Sequence, residues 1–157
     1  MQGGTGSGAS ELPTQPTARP DRYEAGTPNT PGIAGLGAAV RFLAQHGDAL
    51  RAEERRLTRL LHEGILDIPG FSVVGPLPGE SRVPLVSAAH ERIDADQLAF
   101  TLDKRYGIGA RAGLHCAPWA HRTVGTLDSG AIRFGLGWST TEDDVRTTLA
   151  ALTEITR

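Results

Sequence analysis

Residues 131–155 read AIRFGLGWSTTEDDVRTTLAALTEI, and they switch from one structural period to another within ten positions. Ala131 to Leu136 has the short, apolar, turn-bounded pattern of a strand. Gly137 then breaks it, and Thr140 or Thr141 is placed to cap a helix whose first turn carries Glu142, Asp143 and Asp144, acids that suit the positive end of a helix. Val145, Leu149, Leu152 and Ile155 recur at helical spacing and mark the buried stripe. Working back from this strand–helix unit, Phe71 to Gly75 and Val83 to Ala88 read as two further strands joined by the turn-rich GPLPGES. Between the second of these and residue 131, Asp94 is expected to cap a helix carrying Leu98, Leu102 and Tyr106 on one face and closed by Gly107. Ile108 to Ala112 reads as a short strand, and GLHCAPWAHRTVG as a loop leading to a short helix.

Upstream of residue 71 the period is helical throughout. Ile33, Leu36, Val40 and Leu43 predict a helix from Pro31 to Gln45, with Gly35, Gly37, Ala38 and Ala39 suited to close packing. Leu50, Leu57, Leu60, Leu61 and Ile65 predict a second, from an Asp48 cap to Leu66, stopped by Pro69 and Gly70. The order helix, helix, strand, strand, helix, strand, loop, strand, helix predicts an α+β fold with helices on one face of a mostly antiparallel sheet. Residues 1–30 differ in kind. They hold glycine, proline and small polar residues but almost no large apolar side chain, and are expected to form an extended arm, with the folded domain covering 31–157.

Composition narrows the function. The formal net charge is −2, and the basic residues from Arg51 to Arg59 alternate with Glu53 and Glu54, so nucleic acid is not an expected partner. No apolar run is long enough to span a bilayer and no leader pattern is present, which predicts a cytoplasmic protein without a membrane partner. One cysteine excludes an internal disulfide. Lys104 is the single lysine, so an internal Schiff base would have to use it or none.

Three places could carry chemistry. Cys116 follows a predicted strand and a glycine, and Pro118 prevents further extension; Arg111 and His115 stand close enough in sequence to favour a thiolate. A zinc site from His115, Cys116 and His121 would lack a fourth ligand, so no metal is expected. Arg133 sits among apolar strand residues, where it either faces solvent or grips a carboxylate. In YEAGTPNTPG, residues 23–32, Thr27 and Asn29 offer short polar groups at a helix start, either as an anion site or as a plain capping loop.

Taken together, GGTGS at 3–7, RYEAGTPNTPGIAGLG at 22–37, GIGARAGLHCAP at 107–118 and AIRFGLGWSTTEDD at 131–144 resemble, in order and interval, cysteine desulfurases of the class V aminotransferases. The resemblance implies the small C-terminal domain of a fold-type I enzyme dependent on pyridoxal 5′-phosphate (PLP), with the N-terminal cofactor-binding large domain and its Schiff-base lysine absent. It implies that Cys116 accepts sulfur from L-cysteine as a persulfide, leaving alanine, and that Arg133 binds the substrate carboxylate, with His115 beside the reacting atoms. Thr27, with Asn29 beside it, would reach the cofactor phosphate of a neighbouring subunit, hence a homodimer, and a sulfur-acceptor protein would be a further partner. On this reading the chain is a portion of a desulfurase and inactive by itself. Two alternatives stay open: another class V activity (selenocysteine lyase, cysteine or cystine lyase, or aminotransferase), or a non-catalytic binding remnant.

Overall fold

The computed structural model describes residues 14, 16–24, 26–76, 80 and 82–157. It falls into two compact units, residues 1–47 and 48–157. Of the four sequence segments that carry the family resemblance, GGTGS at 3–7 lies outside the described residues.

In the first unit, residues 18–24 close a hydrogen-bonded turn, with the Arg22 amide donating to the Ala18 carbonyl and those of Tyr23 and Glu24 to Pro20. The proline-rich stretch expected to be extended thus folds back locally, since proline presets the backbone for turns as well as for extension. Helix α1 follows, Thr30–Leu66, 37 residues without interruption. Asn29 caps it, its Oδ1 accepting from the Gly32 amide at 3.0 Å. The sequence predicts two helices here, with Asp48 starting the second. The structure corrects this: Asp48 is an interior helical residue whose carboxylate pairs with Arg51 one turn on. Gly47 weakens a helix by only about 1 kcal/mol, too little to break one supported on both sides. The stripe Ile33, Leu36, Val40 and Leu43 is exposed, and a Cβ on Gly35 would meet nothing within 4 Å, so the close packing expected of this segment is not made within its unit.

The second unit holds the core. Strands β1 (Phe71–Val74), β2 (Leu85–His90) and β3 (Ile132–Gly135) form an antiparallel sheet in that order. On β2 alternate residues Val86, Ala88 and His90 are buried, and on β3 Ile132 and Phe134. Against this face pack Leu57, Leu61 and Ile65 of α1, Leu98 of α2 (Ala95–Thr101), Leu102, and Val145 and Leu152 of α4 (Glu142–Ile155). The architecture is therefore α+β with helices on one face of an antiparallel sheet. Thr141, not Thr140, caps α4: its hydroxyl accepts from the Asp144 amide while Asp144 accepts from the Thr141 amide, a reciprocal capping box. Asp94 stands at the start of α2 but its side chain makes no capping bond.

Three expected boundaries shift. The second strand begins at Leu85, not Val83. The helix from Asp94 ends in a π-helical turn, Leu102–Tyr106, closed by Gly107 with φ 66°. Ile108 to Ala112 is not a full strand; only Arg111 and Gly113 join the sheet, through paired hydrogen bonds to Arg133 and Ala131. The π turn spends extra backbone before Ile108, whose amide reaches back to the Leu102 carbonyl, so little chain remains to run beside β3.

His62 was not recognisable from sequence as a core residue, yet it is 2% exposed. Its Nδ1 lies 2.7 Å from Nη1 of Arg82. Arginine only donates, so Nδ1 accepts and the neutral ring is the form that fits. Burial, then the Arg82 charge, lower its pKa from the ordinary 6.5, against a smaller opposing influence from Glu63. The unfolded chain therefore takes up this proton first as pH falls below 6.5, and stability declines from there toward the folded-state value. His115 is shifted in the same direction. The drop in thermal midpoint between pH 7 and pH 5 should be smaller in His62→Asn, which keeps an acceptor for Arg82 but cannot titrate; an unchanged drop would contradict this. Leu98→Ala, at a fully buried position touching sheet and helices, is expected to lower unfolding free energy by about 2–5 kcal/mol, measured by urea titration.

Candidate functional site

The site is built on the edge of β3 away from β2. There Arg111 and Arg133 exchange both backbone hydrogen bonds, Arg133 N–H to Arg111 O at 2.7 Å and Arg111 N–H to Arg133 O at 3.1 Å. Directly opposed residues in an antiparallel pair project from the same face. Ile132 and Phe134 point into the core, so both arginines stand on the other face. Like charges so placed repel unless an anion lies between them. The Arg133 side chain is half-buried and has neither a hydrogen bond nor an ion pair among the described residues.

Two residues on, the ribbon closes over Gly113 and Gly130. A Cβ on Gly130 would lie 3.0 Å from the Gly113 Cα, so this approach requires glycine. The chain then bends sharply. His115 and Cys116 both adopt left-handed backbone, with φ 52° and 60°. Each such non-glycine residue costs on the order of 1–2 kcal/mol, which the neighbouring bonds must offset. Those bonds are visible: the Ala117 amide donates to Leu114 O at 2.8 Å, and Pro118 opens helix α3 (Pro118–Val124), whose Gly125 cap returns the chain. The bend presents Cys116 to solvent. Nη2 of Arg111 lies 3.5 Å from its Sγ, placing a positive donor beside the sulfur.

His115 Nε2 is 3.1 Å from the Arg111 carbonyl, which can only accept, so Nε2 carries the proton and Nδ1 keeps a free lone pair. Its pKa lies below 6.5, first because of burial; the carbonyl bond opposes, while the charges of Arg133, His121 and Arg111 add to the lowering. At neutral pH this imidazole is uncharged. Behind it, the ring of buried His121 lies 5.6 Å away and is fixed by a 2.8 Å bond between its Nδ1 and Thr126 Oγ1.

The structure thus brings together Cys116, His115, Arg111 and Arg133. Thr27 and Asn29 belong to the other unit, where Thr27 is exposed and Asn29 is engaged as the α1 cap. Lys104 is exposed on the π turn and paired with Asp103 at 3.0 Å. Arg111 is the member whose place sequence reading did not resolve: its nearness to Cys116 was legible, its pairing with Arg133 across 22 positions was not.

The class-V aminotransferase family model matches residues 3–147. The chain belongs to that family. A probable cysteine desulfurase of Chlamydia trachomatis serovar D is 35% identical over 139 residues, 88% of this chain and 34% of that protein. Probable cysteine desulfurase 2 of Mycobacterium leprae is 39% identical over 104 residues, 66% of this chain and 25% of that protein. Among solved structures, the apo cysteine desulfurase of Thermococcus onnurineus NA1 superposes with a TM-score of 0.77 at 28% identity, covering 87% of this chain and 33% of that one. The chain spans about a third of the length of the relatives it matches. The family is one of PLP enzymes, and no helix among the described residues is long and apolar enough to cross a membrane.

Backbone strain at the cysteine gives a direct test of the bend. Cys116→Gly, which accepts left-handed backbone freely, should be more stable than Cys116→Ala by roughly 0.5–1 kcal/mol in denaturant titration. Equal stability, or a more stable alanine variant, would show that the bend is not strained.

Proposed function

We propose that this chain carries the sulfur-accepting part of a PLP-dependent cysteine desulfurase, converting L-cysteine to alanine with a persulfide left on Cys116. The observation that carries the reading is the exposed Cys116 thiol, held in a left-handed bend with the Arg111 guanidinium at its sulfur, on the same ribbon as an Arg133 whose side chain has no partner among the described residues. The likeness to desulfurases on both sequence and structure supports it.

In this mechanism Arg133 takes the substrate carboxylate in a bidentate grip, which orients the amino acid. The Cys116 thiolate attacks the substrate sulfur, and Arg111 stabilises negative charge on the attacking atom. The new S–S bond forms as the substrate C–S bond breaks with its electron pair left on carbon, which takes a proton to become alanine. The neutral His115, with Nδ1 unprotonated, can accept the thiol proton; the imidazolium and thiolate that result leave the net charge of the site unchanged.

PLP, when bound, supplies the electron sink for breaking that bond. Of the described residues, Thr27 suits its phosphate: its hydroxyl is exposed and stands just before the N-terminus of α1. Asn29 would contribute through the cap that shapes this terminus. Lys104, held by Asp103, does not suit a covalent link, so the cofactor would be carried mainly by the two-thirds of the relatives' length that this chain does not span. Residues 1–30 would then serve as arm and phosphate loop and 31–157 as the small domain with its lead-in helix. Thr27 would act across a homodimer interface, an acceptor protein would collect the sulfur from the exposed loop, and a reducing cytoplasm would keep the lone thiol free.

The test joins this chain to the cofactor-binding region of a desulfurase and supplies L-cysteine. Alanine release should be accompanied by a mass gain of one sulfur atom on Cys116. Cys116→Ala should abolish transfer, and Arg133→Met should lower kcat/KM on the order of a hundredfold. Persistent transfer in Cys116→Ala would refute the reading.

A further inference from the structure

Beneath α1, on the part of the helix that belongs to the second unit, lies a cavity of about 590 Å³ that the proposed sulfur chemistry does not use. Its helical wall carries Arg51, Arg55 and Arg59, one helical turn apart, so their side chains share one face. Opposite stands Arg82, with Val83 and Pro84 supplying an apolar wall.

Charge at this cavity is incompletely matched. Arg51 is paired with Asp48. Neither Arg55 nor Arg59 forms an ion pair among the described residues, whereas the adjacent Arg56 is held by Glu53 and Glu142. Arg82 is the decisive member. Its guanidinium donates to three neutral acceptors: His62 Nδ1 at 2.7 Å, Pro76 O at 3.1 Å and Leu85 O at 2.9 Å. Its Nε is buried without a partner among the described residues. Burial lowers the Arg82 pKa, the direction expected for a cation withdrawn from water without a counter-ion. Glu54 and Glu80 also line the cavity, so among its described lining residues four guanidiniums, one of them paired with Asp48, stand with two carboxylates. A cation so placed is costly unless an anion balances it.

We propose that this cavity binds a small phosphate-bearing molecule, its phosphate held by Arg55, Arg59 and Arg82 and its organic part resting on Val83 and Pro84. The volume lies within the range of small-molecule sites and exceeds what a bare phosphate fills, leaving room for that organic part. Guanidiniums on two separate elements, α1 and the segment before β2, suit an anion with several oxygens rather than a single carboxylate. His62 sets the geometry: as a neutral acceptor it holds the Arg82 fork, and it is itself one of the lining residues. The site is independent of Cys116, so it stands or falls apart from the desulfurase reading.

Inorganic pyrophosphate titrated into the 157-residue chain, followed by amide NMR shifts at constant ionic strength, should give saturable changes at Thr58, Arg59 and Val83. Arg55→Gln combined with Arg59→Gln should raise Kd at least about tenfold, as loss of charged hydrogen bonds does, while Arg41→Gln, on the other unit, should leave it unchanged. The NMR spectrum of the double variant reports whether it remains folded; Arg82→Lys, which keeps the charge but loses the fork, should also weaken binding. Linear, non-saturating shifts, or equal affinity in the folded double variant, would overturn the site. Citrate binding as tightly as pyrophosphate would overturn its phosphate preference.

Discussion

Everything distinctive about the candidate site depends on one short piece of backbone pairing, the two hydrogen bonds that Arg111 and Arg133 exchange. β3 has a full partner on one side, where Arg133 faces Ser87 of β2. On its other side, among the described residues, only 111 to 113 are added. That addition is enough to set a guanidinium on either side of the same surface. It also fixes where the chain stands when it turns away at Gly113. Because Ile132 and Phe134 are locked into the core, the register cannot slip by one residue without turning Arg133 inward, which burial of an unpaired charge forbids. The hydrophobic core thus specifies the site indirectly, by choosing which face of β3 is polar.

The same constraint explains the backbone at Cys116. A three-residue ribbon leaves no strand to continue, and Pro118 must begin α3 almost at once. Between Gly113 and Pro118 the chain has to reverse within a few residues, and left-handed backbone at His115 and Cys116 is how it does so. Glycine would satisfy this geometry at less cost, so the presence of a histidine and a cysteine there sets side-chain identity above local stability. A residue held in such a conformation is most informative when its side chain also has a specific neighbour, and here the sulfur has Arg111 while the imidazole has the Arg111 carbonyl.

Much of this was legible in the sequence where the signal is local and periodic. The strand at 131, the acid-rich start of α4 and its buried stripe, and the stop after Leu66 were all signalled by spacing and capping chemistry among residues a few positions apart. The failures share a cause. Asp48 looks like a cap because its residue type favours one, but capping chemistry is overridden when helix continues on both sides. Ile108 to Ala112 has a strand's composition, yet the π turn ahead of it consumes the length it needed. His62 carries no sequence mark of burial, since its partner Arg82 arrives from twenty positions away. The Arg111–Arg133 pair is invisible for the same reason. Loop-spanning contacts of this kind are set by how the sheet closes, and no window of sequence contains both members.

Electrostatics ties the proposed chemistry to that geometry. Two guanidiniums on one face, near an imidazole whose pKa is lowered by burial and by their charge, create a place where negative charge is wanted. An amino acid with a thiol meets that demand twice, at its carboxylate and at the sulfur as the bond to Cys116 forms. A His115 already protonated would leave no base for the thiol proton, so the neutral ring is the form this reading needs. On the proposed reading burial of the ring serves the chemistry, because solvent would return its affinity for a proton toward the ordinary value. The ring of His121, held by Thr126, lies 5.6 Å from that of His115. On this account the positive donor at the thiol is Arg111.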